Sequence, residues 1–199
     1  ARRLMTDLLS WPALRESEIA LMDIHQGRLD LIQALGARLV QQERLPARIT
    51  NMKRTLLHSL PAFDALMTWY PLRDRVAAFL GERATLILAH AISVEADCLI
   101  CSTFFRRILI ERGENPDRLI LSEAEDTLAE LGRRLATPPH EIPDDLYARV
   151  AEGRSDEQVV DLMAFAAIML ATNVFNNALE VPLDHVLEPF RRGGPHGSV

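Results

Sequence analysis

Apolar residues recur at three- and four-residue intervals through nearly every long segment of this chain, and no stretch alternates apolar with polar. That period gives each segment a helical stripe and offers no strand face, so the chain reads as all-α. Two helix starts are written out in full. Ser122-Glu-Ala-Glu125 and Ser155-Asp-Glu-Gln158 are capping boxes, in which the serine and the residue three places on each satisfy a free backbone donor. The second opens a helix to about Leu179. Its apolar run from Val159 to Phe175 carries Asp161 and Asn173, and reads as a core helix rather than a membrane span.

The remaining elements follow from punctuation. Ile19, Met22, Leu29, Ile32, Leu35 and Leu39 predict a helix from Arg15 to Glu43, weakened at Gly27 and Gly36 and ended at Pro46. Short helices are expected from Ile49 to His58 and from Pro61, which suits a first turn, to about Tyr70. Pro71 is expected to break the pattern. One or two helices then run from Leu72 to Val94 with Gly81 as a joint, and further ones from Cys98 to Arg112 and from Pro143 to Glu152. The expected organisation is an N-terminal helical extension over residues 1–45, a helical domain over 46–190 and a disordered tail over 191–199.

Composition removes several function classes. A net charge of -6, with no basic stripe interleaved with aromatics, argues against nucleic acid as a partner. The pairs Arg106-Arg107, Arg133-Arg134 and Arg191-Arg192 are isolated and are expected on solvated helix faces. No uninterrupted apolar run reaches membrane-span length, and the first residues lack a signal-peptide pattern, so no membrane partner and a cytoplasmic location are expected. There is no phosphate-cradling glycine loop and no G-x-S-x-G motif.

The chemistry concentrates in one place. Both cysteines of the chain, Cys98 and Cys101, form a C-x-x-C in the stretch HAISVEADCLICSTFFRR. Three readings compete: a redox pair, half of a metal site, or two small buried hydrophobes. For the redox reading, Asp97 stands where an N-cap would stand. The helix start then holds both thiols in one turn, on one face, near backbone donors that favour a thiolate. The Asp97 carboxylate works against that ionisation. The metal reading lacks further ligands, since there is no second C-x-x-C and no H-x₃₋₅-H, and no metal is expected.

The segment LILAHAISVEADCLICSTFF resembles the core motif of the alkylhydroperoxidase AhpD and carboxymuconolactone decarboxylase superfamily: an apolar helix, a short break, then C-x-x-C opening the next helix. The likeness extends downstream through the Asn-containing stretch before ALEVPLD, and covers about Thr55 to Asp184. It implies an AhpD-like helical bundle, a homo-oligomer, and reduction of hydroperoxides by a cysteine pair. Carried over by position, Cys101 matches the peroxide-attacking cysteine and Cys98 the resolving one. Two family positions differ: Phe105 stands where the family has a relay histidine, and Leu86 where it has a relay glutamate.

His90 and Glu95 are the substitutes that the sequence offers as proton carriers. The plainer readings are a packed core histidine and a solvated or capping carboxylate. Asn173, Asn176 and Asn177 are poor helix formers and call for a tertiary reason, either a polar pocket or, more simply, hydrogen bonds to loop backbone. The expected function is a thiol-dependent peroxidase or disulfide exchange, needing no organic cofactor. Its partners would be a hydroperoxide or disulfide substrate and a dithiol reductant protein. Two alternatives remain: a non-catalytic module of this fold that binds a small apolar ligand or a protein partner, and a decarboxylase-like enzyme without thiol chemistry.

Overall fold

The computed structural model describes residues 50–193. The helix predicted from Arg15 to Glu43, with the rest of the N-terminal extension, and residues 194–199 of the tail lie outside the described residues. The chain divides into two compact units, with the boundary between Phe63 and Asp64. In the first unit, α1 (Asn51–Leu56) is capped by Thr50, whose hydroxyl accepts the Lys53 N–H at 3.3 Å. α2 (Leu60–Met67) begins one residue before Pro61.

The second unit continues with α3 (Trp69–Leu80), α4 (Glu82–Glu95), α5 (Leu99–Glu111), α6 (Glu123–Ala136), α7 (Asp144–Ala151) and α8 (Asp156–Ala178), and then a 3-10 turn over His185–Phe190. Every regular element among the described residues is helical, and the fold is all-α.

Both capping boxes form as the sequence predicts, Ser122 with Glu125 and Ser155 with Gln158. Pro71 does not break the chain into separate elements. It is the third residue of α3, within the first turn, where a backbone N–H has no intrahelical acceptor to lose. Gly81 is the joint between α3 and α4, with φ at +85°, a value that costs a glycine little and an L side chain more.

α4 is the centre of the unit and packs against α3, α5, α6 and α8. Its sequence explains why. Thr85 to His90, Ile92 and Ser93 are all buried, so the helix has no solvent face over its middle turns. α6 packs against it through Gly132. A Cβ there would lie 3.1 Å from the Leu88 carbonyl oxygen, 3.1 Å from Ala91 Cβ and 3.2 Å from Ile92 Cγ1. Gly132→Ala gains about 1 kcal/mol of helix propensity but overpacks a contact that includes backbone. We expect a net loss of about 1–2 kcal/mol in urea unfolding. An unchanged or raised midpoint would refute the close crossing.

α8 buries one stripe, from Val159, Leu162, Phe165 and Ala166 through Met169 to Thr172, Asn173 and Asn176. It is also long and apolar enough to span a membrane by length and composition alone. Asp161, the charge inside its apolar run, pairs with Arg75 of α3 at 2.7 Å. Midway along the run, Trp69 of α3 donates its indole N–H to Met169 and lies tilted against Phe165 with ring centroids 5.9 Å apart.

Candidate functional site

The ends of three helices converge on the thiols. α4 stops at Glu95. The Asp97 N–H reaches the Val94 carbonyl at 3.1 Å and the Cys98 N–H reaches the Ser93 carbonyl at 3.1 Å. This paired closure is a Schellman motif, and it needs a left-handed residue, which Asp97 supplies at φ +48°. Asp97 is therefore not the N-cap of the next helix, contrary to the sequence expectation. That position belongs to Cys98, at φ -91° and ψ 103°, and α5 starts one residue later. Cys101 is then the third residue of α5. The reason is geometric: a residue with positive φ that closes α4 lacks the extended backbone that an N-cap requires.

Both cysteines are free and buried, Cys98 to 1% and Cys101 to 7% exposure. Asn176 of α8 joins them. Its Nδ2 lies 3.3 Å from Cys101 Sγ and 4.0 Å from Cys98 Sγ, so one amide group faces both sulfurs. The next residue anchors that helix end, since Asn177 Nδ2 donates to the Ala96 carbonyl at 2.9 Å. The loop-backbone reading of the asparagines thus holds for Asn177. For Asn176 the partner is the thiol pair itself.

The two thiols have opposite acidities. The Cys101 S–H donates to the Cys98 sulfur and, with the Cys101 and Ile100 backbone N–H groups and the Asn176 amide, lowers the Cys98 pKa to about 7 against the opposing effect of burial. The backbone contribution is electrostatic, because the sulfur makes no well-formed cap hydrogen bond. As donor to that sulfur, and as a buried group, Cys101 is pushed well above the ordinary thiol range. Cys98 is therefore the thiol that ionises first.

Neither of the expected proton carriers is hydrogen-bonded to a thiol. Glu95 is exposed, and its carboxylate accepts the Thr137 hydroxyl at 3.1 Å. His90 is buried, and its Nε2 has no hydrogen-bond partner. Burial first, and the Arg106 cation second, lower its pKa to about 4, with Asp117 partly opposing. No hydrogen bond links either residue to a thiol among the described residues, and an imidazole that holds a proton so weakly is a poor general base at neutral pH.

Arg106 also departs from expectation. It is buried rather than solvated, held by two 2.7 Å bonds to the Asp117 carboxylate and a 3.2 Å bond to the Phe190 carbonyl. The apolar face of α5 draws its aliphatic stem inward, and the carboxylate meets the charge there.

Two cavities flank these elements. An open cleft of about 370 Å³ is lined by Asp97, Leu99, Ile100, Asn176 and Glu180, and so runs past the two residues that separate the thiols. A second cavity of about 200 Å³ is walled by Trp69, Leu86, Phe104, Phe105 and Phe165. Leu86 and Phe105, on different helices, line this same cavity. No group of three or more His, Cys, Asp or Glu side chains gathers to hold a metal ion among the described residues.

No family model matches the chain, and no solved structure matches it. A 49-residue stretch is 41% identical to part of an alpha-galactosidase from Rhizobium meliloti (strain 1021). That stretch is 25% of this chain and 10% of the galactosidase, a likeness too short to assign a family or an activity.

Proposed function

We propose that this chain is a thiol-based oxidoreductase on an AhpD-like bundle, reducing a hydroperoxide or exchanging with a disulfide through Cys98 and Cys101. The observation that carries the reading is the single Asn176 amide shared by two free sulfurs, with Cys98 at the head of α5. Further support comes from Leu86 and Phe105. The two positions where the resembled family keeps its relay pair line one cavity, as a relay would require.

The chemistry balances as follows. The Cys98 thiolate attacks the terminal peroxide oxygen, the O–O bond breaks, and a sulfenic acid and an alkoxide form. The Cys101 S–H protonates the alkoxide. The resulting Cys101 thiolate attacks the sulfenic sulfur and expels hydroxide, which takes a proton from solvent and leaves a Cys98–Cys101 disulfide. A dithiol protein resets the pair by exchange. This order reverses the one that the family resemblance implies, because Cys98 heads α5, where the helix start and the Asn176 amide favour a thiolate. Substrate enters by the cleft beside Leu99 and Ile100.

The test is intact mass after one equivalent of an organic hydroperoxide. Reduced wild type should lose two hydrogens. Cys98→Ser should stay reduced, while Cys101→Ser should accumulate a sulfenic acid that dimedone traps. A sulfenic acid on Cys101 in the Cys98→Ser protein would restore the family order. A wild type that keeps its reduced mass for hours would end the thiol reading. The second reading, a non-catalytic module, would then lead. It is favoured by the cavity at Leu86 and Phe105, whose aromatic wall offers contact to a small apolar ligand, with Arg73, Glu82 and Arg112 also lining it.

A further inference from the structure

We infer that Asn173 and Asn176 of α8 form a closed polar site beside the thiols that takes hydrogen peroxide in preference to organic hydroperoxides. The inference rests on the thiol reading and names the oxidant within it. It is carried by hydrogen-bonding atoms that the protein itself leaves unfilled.

Asn173 is 0% exposed, and neither its Nδ2 nor its Oδ1 has a hydrogen-bond partner. Asn176 is 2% exposed. Its Nδ2 faces the two sulfurs, and its Oδ1 has no partner. The two residues lie three apart on the buried stripe of α8, so their side chains are neighbours, with Cβ atoms about 5–6 Å apart. Oδ1 and Nδ2 of Asn176 share one carbon, so a molecule held at that oxygen is adjacent to the thiol pair. Other polar residues on this stretch find partners within the protein. Thr172 donates to the Ile168 carbonyl at 2.8 Å and Asn177 to the Ala96 carbonyl at 2.9 Å. A buried amide with both ends unmet is costly, and native proteins fill such atoms with a small polar molecule.

The unfilled set is one donating amide nitrogen, on Asn173, and two acceptor oxygens, one on each residue. Hydrogen peroxide has an O–H for each oxygen and lone pairs for the nitrogen. Water matches the same set and holds the place between turnovers. An alkyl hydroperoxide has a single O–H, so one buried oxygen stays unmet. A site built to bond a hydroxyl rejects the analogue that lacks it, because its own polar atoms are left unpaired.

Access points the same way. Cys98 is 1% and Cys101 7% exposed, and neither lines the open cleft, although Leu99, Ile100 and Asn176 do. An oxidant therefore leaves the cleft and crosses closely packed side chains to reach the sulfurs. A molecule of two heavy atoms crosses on small fluctuations, whereas a branched alkyl group needs those side chains to part.

The step balances without a further reactant. The Cys98 thiolate attacks one peroxide oxygen, the O–O bond breaks, and Cys98 becomes a sulfenic acid. The leaving hydroxide, held by the Asn173 amide, takes the Cys101 proton and departs as water. The Cys101 thiolate attacks the sulfenic sulfur, and the expelled hydroxide takes from solvent the proton that Cys98 had lost. Two thiols and one peroxide give one disulfide and two waters.

Quenched-flow intact mass of the reduced full chain tests the inference with hydrogen peroxide and tert-butyl hydroperoxide. Each rate is divided by that of the same oxidant with a low-molecular-weight thiol, which removes intrinsic reactivity. The normalised rates should favour hydrogen peroxide about 100-fold. Asn173→Leu keeps a branched side chain without polar atoms, and in it the preference should fall about ten-fold or more. In the smaller Asn173→Ala, the hydrogen peroxide rate should fall while the tert-butyl hydroperoxide rate rises. A folding defect alone moves both rates the same way, so the crossed response separates recognition from damage. The wild-type ratio decides even where a variant fails to fold. Equal normalised rates, a preference for tert-butyl hydroperoxide, or a preference kept in both variants would each overturn the inference and leave the thiol reading standing. If neither peroxide oxidises the pair, the thiol reading fails and the inference falls with it.

Discussion

Asp117→Ala is expected to destabilise the fold by about 3 kcal/mol, the largest loss from any single polar side chain discussed above. Arg106 is 5% exposed and depends on that carboxylate for two of its hydrogen bonds. Without the carboxylate the guanidinium keeps only the Phe190 carbonyl, and a buried cation is left largely unpaired. The figure sits at the low end of the usual range because the Asp117 side chain is 28% exposed and water can partly replace it. The same physics predicts a rescue. Arg106→Met with Asp117→Ala removes both charges, so the double variant should recover most of the loss and give a strongly non-additive cycle in urea unfolding. A cost under about 1 kcal/mol for Asp117→Ala would show the pair to behave as an exposed one.

What could be read in the sequence was whatever the chain settles locally. Ser122 with Glu125 and Ser155 with Gln158 are three residues apart, so the groups that satisfy each helix start sit beside it in the sequence. The helix over Thr85 to Ser93 was legible from its apolar spacing, but its burial on nearly every side was not. Pro71 and Asp97 were misread for a shared reason. Each has a residue-type preference, as breaker or as N-cap, that depends on its place within a turn, and that place is set by neighbouring helix boundaries accurate only to a residue or two. The left-handed Asp97 and Glu180 had no sequence signal, since the position they occupy ordinarily announces itself by glycine.

The site was visible in one half. The spacing of Cys98 and Cys101 marked it, but Asn176 meets Cys101 from 75 residues away, a contact that arises only where the end of α8 reaches the start of α5. Three asparagines near one helix end were the only hint, and the hint could not separate Asn177, which ties down loop backbone, from Asn176, which holds the sulfurs. Arg106 was hidden in the same way. A doubled arginine suggests solvent, yet one of the two turns inward to a carboxylate on the loop after its helix.

Burial, with the Arg106 cation second, makes His90 the group through which the protein responds to acid. Its pKa of about 4 in the folded state lies below the ordinary value of 6.5. The unfolded chain therefore binds the proton more readily across that interval, and stability rises with pH there. Stability is fully present above pH 6.5 and is lost as pH falls towards 4, by about 3 kcal/mol in all. Asp117 and Glu125, whose carboxyls are held below their usual range, lose their contributions only at lower pH. The window between pH 4 and 6.5 thus belongs mainly to the imidazole. In His90→Leu the slope of stability against pH across this window should flatten. Its neutral-pH stability should hold or improve, because a buried ring nitrogen without a partner has been removed. Urea midpoints at half-unit pH steps decide the matter. Parallel curves for wild type and His90→Leu would mean that the imidazole can charge in place, and that the Arg106 cation does not repel it. If the curves converge towards pH 4, the imidazole must be neutral for the core to close. In the proposed thiol chemistry, protons would then have to pass through Cys101 and solvent alone.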